Sequence, residues 1–297
     1  MPARFRRERL LIVGCGDVGL RVVRALGGRL GIYALSSSPQ RIELLRKSGV
    51  IPLLGDLDNA TTLRRLAGIA THIVHLAPPP AEGRRDSRTA ALNAVLRLRS
   101  LPQSMVYGST SGVYGDCQGE LAQESRPVNP HTPRAVRRVD AEQQVRHLGR
   151  ATGLRTSILR IPGIYAGDRE GGTPEARLRK GTPVLKAADD VFTNHIHADD
   201  LARACVRALW RGLPQRLVNI NDDTVLRMGD YFDLAADLYG LPRPLRMPLV
   251  QAQSQLPPML LSFMSESRRM DNSRMKRELK LRLTYPTVAE GLAATLR

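Results

Sequence analysis

The stretch Leu10–Leu26, "LLIVGCGDVGLRVVRAL", decides the fold. Four apolar residues, Leu10 to Val13, run into Gly14, Gly16 and Gly19 at the spacing Gly-x-Gly-x-x-Gly. Beyond them Val18, Val22, Val23 and Leu26 form one stripe at helical spacing, closed by Gly27. The pattern predicts a buried strand, a tight turn and a helix. Gly14 permits the turn, Gly16 lets a ligand approach the backbone, and Gly19 lets the helix pack closely on the strand. Unpaired N–H groups at the helix start, around Asp17 and Val18, attract an anion such as a diphosphate. A tight turn without a ligand is the alternative; the place of the motif in a first strand–helix unit favours a dinucleotide. No Gly-Lys-Ser/Thr ending follows, so a nucleoside-triphosphate loop is not expected.

Outward from this unit, apolar runs alternate with amphipathic ones. Leu10–Val13, Gly31–Leu35, Val50–Leu54, His72–Ala77, Met105–Thr110, Thr156–Ile161 and Leu217–Ile220 read as strands. Helices are expected in "DNATTLRRLAG", capped by Asp58, in long segments starting at Arg84 and Pro133, and in "ADDLARACVRALWRG", capped by Asp199 or Asp200. Such alternation predicts an α/β fold, a Rossmann-like doubly wound parallel sheet with a small C-terminal lobe. Residues 1–166 and 192–222 are assigned to the dinucleotide-binding domain, and 167–191 and 223–297 to the smaller lobe, which would cap a substrate.

Composition narrows the function classes. The chain has 297 residues and a formal net charge of +17, with only five lysines, Lys47, Lys180, Lys186, Lys276 and Lys280. The arginines are scattered and aromatic residues make up only 4%, so nucleic acid is not the expected partner. No apolar run approaches the roughly 20 residues of a membrane span. The basic, then apolar N-terminus reads as the approach to a first strand rather than a signal peptide. Cys15, Cys117 and Cys205 lack disulfide or metal spacing and point to a reducing, cytoplasmic compartment. Cys15, beside a helix start, is a candidate for partial reactivity.

The second strand ends "YALSSSPQR". An acid there would bind the ribose hydroxyls of NAD; Ser36, Ser37 and Ser38 stand there instead, with Arg41 close behind. That favours NADP over NAD, with Arg41 on a 2′-phosphate. Ser38 also reads as a cap ahead of Pro39.

Five further segments in order, "LLGDLDN", "VHLAPPP", "MVYGSTSGVYGD", "LRIPGIYAGDR" and "FTNHIHADDLARA", make the chain resemble the extended and atypical short-chain dehydrogenase/reductases, the NAD-dependent epimerase/dehydratase group. The resemblance covers Leu10 to Ile220. It implies Asp56 and Leu57 beside the adenine, Ala77 and Pro78 flanking the cofactor, and Pro162 and Gly163 passing the nicotinamide. Thr110 matches the position that orients the substrate oxygen.

One pair departs. In "NPHTPRAVRRVDAE" the places of the family's tyrosine and lysine hold Arg134 and Arg138. The tyrosine gives a proton while hydride moves, helped by the lysine. A guanidinium does not release its proton near neutral pH, so the exchange replaces an acid with an anion-binding group. Arg138 can still donate to a ribose; Arg134 suits a carboxylate or phosphate. Tyr165 or His131 could supply the missing proton. His195 and His197 alternate on an extended segment with no metal partners evident. The expectation is an NAD(P)-dependent oxidoreductase or epimerase-like protein acting on a small polar substrate, anionic if Arg134 reaches it. A non-catalytic NAD(P)-binding sensor or scaffold is the alternative. The long helices offer a surface for a homodimer.

Overall fold

The computed structural model describes residues 8–296. Seven parallel strands form one sheet: β1 (Arg9–Val13), β2 (Gly31–Ser36), β3 (Ile51–Leu54), β4 (His72–His75), β5 (Ser104–Thr110), β6 (Arg155–Ile161) and β7 (Arg216–Asn219). Their spatial order is β7-β6-β5-β4-β1-β2-β3. The chain therefore builds outward from β1 to β3, then returns to lay β4 against the other side of β1. Ligands of open α/β sheets lodge beyond the strand ends at such a reversal.

Alternation along β1 explains the two layers. Leu10 and Ile12 enter one apolar core with Val22 of helix α1 (Asp17–Leu26), with Leu45 of α2 (Ile42–Lys47) and with Leu201 and Cys205 of a later helix. Leu11 and Val13 enter the opposite core with Leu92 of α3 (Ser87–Leu96) and Val145 and Leu148 of α4 (Pro133–Thr152). Successive strand residues point to opposite faces, so an uninterrupted apolar run demands cover on both. The doubly wound fold is the one expected, and each strand lies within two residues of its predicted bounds.

Four local expectations are corrected. "DNATTLRRLAG" forms a 3₁₀ segment, Ala60–Leu66, capped by Asn59, whose side chain accepts from Thr61 N; Asp58 instead pairs with Arg88 at 2.6 Å. The helix expected from Arg84 begins at Ser87, where the Asp86 carboxylate accepts from Thr89 N at 3.0 Å. The helix Ala198–Arg211 is capped by the His197 ring, which accepts from Asp199 N. Asp200 is fully buried and accepts from the backbone N–H groups of Thr284 and Tyr285. Ser38 precedes the 3₁₀ turn at Pro39, but its hydroxyl donates to Gln40 rather than capping a backbone N–H.

A third apolar cluster lies over the carboxyl edge of the sheet. It joins Leu178 of a short helix (Glu175–Arg179), Val184 and Val191 to Phe232 and Ala235 of the helix Met228–Tyr239, and to Val288 and Leu292. Met275, Leu279 and Leu281 cross back into the first core, so the chain's last part packs on both bodies. Among the described residues no helix is long and apolar enough to cross a membrane.

A buried ion pair ties α4 to the sheet. Arg160 of β6 donates to Glu142 through Nε at 3.1 Å and Nη2 at 2.7 Å, and the Ser109 hydroxyl donates to the same carboxylate at 2.6 Å. Both charged residues are under 5% exposed. Replacing Glu142→Ala leaves the guanidinium buried without its anion. We expect a loss of about 3–5 kcal/mol in unfolding free energy, read by urea denaturation.

Burial also sets a pH dependence. Desolvation lowers His75 to about 3 and His195 to about 4, so both stay neutral in the fold. The unfolded chain binds these protons first, so their contribution is complete above about pH 6.5 and drains away as pH falls toward those values. Denaturation midpoints should drop between pH 6.5 and 4, and less steeply in His75→Gln.

Candidate functional site

Between the carboxyl edge of the sheet and the overlying cluster lies a cleft of about 660 Å³. The Gly14–Gly19 turn forms its floor. Gly14 takes φ +85°, and a Cβ there would sit 2.3 Å from Ala77 N. No side chain fits at that position. Gly16 is the N-cap of α1, and a Cβ on it would meet nothing within 4 Å. Its surface is therefore open backbone at a helix start. A Cβ on Gly19 would press on Cys15 Sγ and Ile12 Cγ2 at 3.2 and 3.3 Å, which fixes how closely the helix lies on the strand. Cys15 itself is 4% exposed, and burial pushes its thiol up to about 11, which argues against partial reactivity there.

Of the residues singled out from the sequence, Gly14, Gly16, Asp17, Val18, Gly19, Thr110, Arg134, Arg138, Pro162 and Gly163 line this one cleft. Thr110 ends β5, and its hydroxyl accepts from Gly112 N at 3.3 Å. Arg134 and Arg138 project from the first turns of α4, whose start is fixed by Pro133 and by Thr132 accepting from Ala135 N. Arg138 Nη1 donates to Tyr107 Oη at 2.9 Å and to Gly108 O at 2.7 Å, which pins it against β5. Burial pushes the Tyr107 hydroxyl up to about 12 despite this cation.

Ser36, Ser37, Arg41, Asp56, Leu57, Ala77 and Pro78 lie outside the lining, at or just beyond the carboxyl ends of β2, β3 and β4. Arg41 Nη2 donates to Cys15 O at 2.7 Å, so its guanidinium rests on the glycine turn. Ser36 Oγ accepts from Ser38 N, and Asp56 accepts from Asp58 N.

Tyr165 is not brought to the cleft. It is 2% exposed, and its hydroxyl donates to Thr287 O at 3.2 Å within the lobe. Burial raises its pKa, so it is a poor proton donor. Nor does His131 line the cleft; its ring meets the Asn129 amide at 3.2 Å. His195 and His197 are buried against Tyr231 and Tyr285, ring centroids 4.1 and 3.8 Å apart. The described residues hold no group of three or more His, Cys, Asp or Glu side chains placed for a metal.

Sequence reasoning missed the cleft's far wall. Asn194, Glu266 and Arg268 line it, as does Arg169 nearer the glycine turn. Arg268 donates to Ser111 O and Gly115 O and pairs with Glu266 at 2.6 Å. The available signal was weak: an acid and a base two apart in "SESRR", inside a loop-rich segment. No tyrosine, histidine, lysine or cysteine is among the described residues lining the cleft, and Asp17 and Glu266 are its carboxyl groups.

Known proteins with this architecture are numerous. A conserved protein of unknown function from Silicibacter pomeroyi DSS superposes with a TM-score of 0.82 at 32% identity, covering 97% of this chain and 98% of that one. The UDP-glucose 4-epimerase of Thermotoga maritima, solved with UDP-glucose, gives a TM-score of 0.79 at 19% identity over 97% of each chain, a likeness of fold. In sequence, the UDP-glucose 4-epimerase of Azospirillum brasilense is 28% identical over 239 residues, 67% of each chain. A Methanocaldococcus jannaschii relative matches over 141 residues at 25% identity, and the match spans 45% of that protein's length. Residues 10–221, well over half of the chain, match the model of the NAD dependent epimerase/dehydratase family, and the protein belongs to that family.

Proposed function

We propose that the cleft binds NADP, in preference to NAD, and that the protein moves a hydride between it and a small polar, anionic substrate held under the C-terminal lobe. The observation that carries this reading is the open backbone of Gly16 at the start of α1, beside a Gly14 that admits no side chain. A diphosphate fits that cradle, with helix N–H groups and dipole directed at it. Arg41, Ser36 and Ser37 take the adenosine ribose and its 2′-phosphate; Asp56, Leu57, Ala77 and Pro78 take the adenine side. Pro162 and Gly163 flank the nicotinamide, and Arg138 donates to its ribose. The nicotinamide supplies the hydride donor or acceptor. Relatives solved with UDP-glucose, or with UDP-glucose and NAD, act as precedent for an anionic substrate in this fold.

The chain's own residues have a narrower task. Thr110 orients a substrate oxygen, and Arg134 holds a carboxylate or phosphate. The lobe formed by residues 167–191 and 223–297 covers the substrate and excludes water.

A second reading has a specific observation behind it. With arginine at both family positions and no tyrosine, histidine, lysine or cysteine lining the cleft, a protein that senses NADP without turnover also accounts for the site.

Fluorescence titration with NADPH and NADH separates the cofactor claims. NADPH should bind about tenfold or more tightly than NADH, and Arg41→Ala should remove most of that difference. Equal affinities in the unmodified protein contradict the role given to Arg41. A screen of phosphorylated and carboxylated sugars, followed by nicotinamide absorbance, separates the two readings. Turnover that falls about tenfold or more in kcat/KM with Arg134→Ala supports the enzyme. Tight NADPH binding with no turnover throughout establishes the sensor.

A further inference from the structure

The start of α1 presents a difficulty for an anionic ligand. Asp17, its first residue, lines the cleft and sets a carboxylate beside the amides that would receive the diphosphate. Two more carboxylates stand close by. Arg21, one turn along and 3% exposed, donates to Asp17 at 3.1 Å, to Asp199 at 2.6 Å and to Asp168. One cation against three carboxylates puts negative charge beside the cradle, which opposes a diphosphate there.

Part of the compensating charge comes from Arg169, the residue after Asp168. Arg169 Nη1 donates to the other oxygen of Asp17 at 2.6 Å. Asp168 and Arg169 thus reach across to α1 in opposite senses, acid to Arg21 and base to Asp17. They are carried on a turn closed on itself: Ala166 N donates to Gly172 O, Arg169 N to Ala166 O, and Gly172 N to Arg169 O. The turn is a small strap laid over the mouth of the glycine loop.

Arg169 is more than a neutralising partner. It lines the same cleft as Gly14 and Gly16, and Asp17 is the one side chain it bonds among the described residues. A guanidinium has five donors, so four remain for a ligand. We infer that Arg169 is a diphosphate-binding residue, bridging Asp17 to the dinucleotide and so closing the Ala166–Gly172 strap over it. The inference rests on the dinucleotide reading of the cleft. Asp17 is the orienting group that aims Arg169, and Arg21 is the buried anchor of Asp17 and Asp168.

The test uses the full chain, NADPH, and 2′-AMP as a fragment that lacks the diphosphate. Arg169→Met keeps the length and apolar stem while removing the charge. It should weaken NADPH by about ten- to a hundredfold, leave 2′-AMP unchanged, and flatten the salt dependence of NADPH binding. Arg169→Lys, a point charge without the fork, should fall between. NADPH affinity unchanged in Arg169→Met overturns the inference while the cofactor reading stands. Equal losses for NADPH and 2′-AMP also overturn it, because they mark a scaffold defect. Binding of neither nucleotide by the unmodified protein overturns the cofactor reading itself. Hydrogen exchange on the unmodified protein gives a second arm that needs no variant. Added NADPH should slow exchange of the Ala166, Arg169 and Gly172 amides. Protection confined to the glycine loop contradicts closure of the strap.

Discussion

The backbone of Gly14 lies so close to that of Ala77 that no Cβ can stand between them. Everything at the site follows from this approach. It lets the chain leave β1 in a left-handed turn, enter α1 at once, and present the helix start where the strand order reverses between β1 and β4. A side chain at Gly14 would push β4 away or tilt the helix, and the cleft would lose its floor.

On that floor the polar chemistry is written in arginine. Arg138 is held against β5 by two hydrogen bonds, Arg268 is tied to two carbonyls and Glu266, and Arg169 leans on Asp17. Elsewhere arginines are buried in structural roles, as Arg21 and Arg160 are. Burial opposes a charged guanidinium, yet the carboxylates facing each of these two push its pKa further up. The large positive charge therefore reflects, in part, a fold that uses arginine where forked, multidentate bonding is needed.

What could be read in the sequence was what is local or periodic. The seven strands announce themselves by apolar runs, and the glycine turn by spacing, because both are set by neighbours along the chain. Arg134 and Arg138 are singled out by the resemblance, at the places of the family's tyrosine and lysine, and both line the cleft. What failed depended on partners distant in sequence. Asp58 looks like a cap until Arg88, thirty residues on, takes it. Asp200 looks like a helix-start acid until the 284–285 backbone arrives to claim it. Tyr165 sits near the right strand end, but the lobe's last helix wraps its hydroxyl. Glu266 and Arg268 carry only a weak local signal; the folding back of the C-terminal segment brings them to the cleft.

The central claim is that a dinucleotide rests its diphosphate on the amides at the start of α1. Amide chemical shifts of the isotope-labelled protein, recorded with and without NADPH, report on it residue by residue. Saturable shifts are expected at Gly16, Asp17 and Val18, with smaller ones at Gly163, which lines the same cleft. Shifts confined to the groove between α1 and the helix Ala198–Arg211, around Trp210 and Arg207, or no shifts at all, would contradict it.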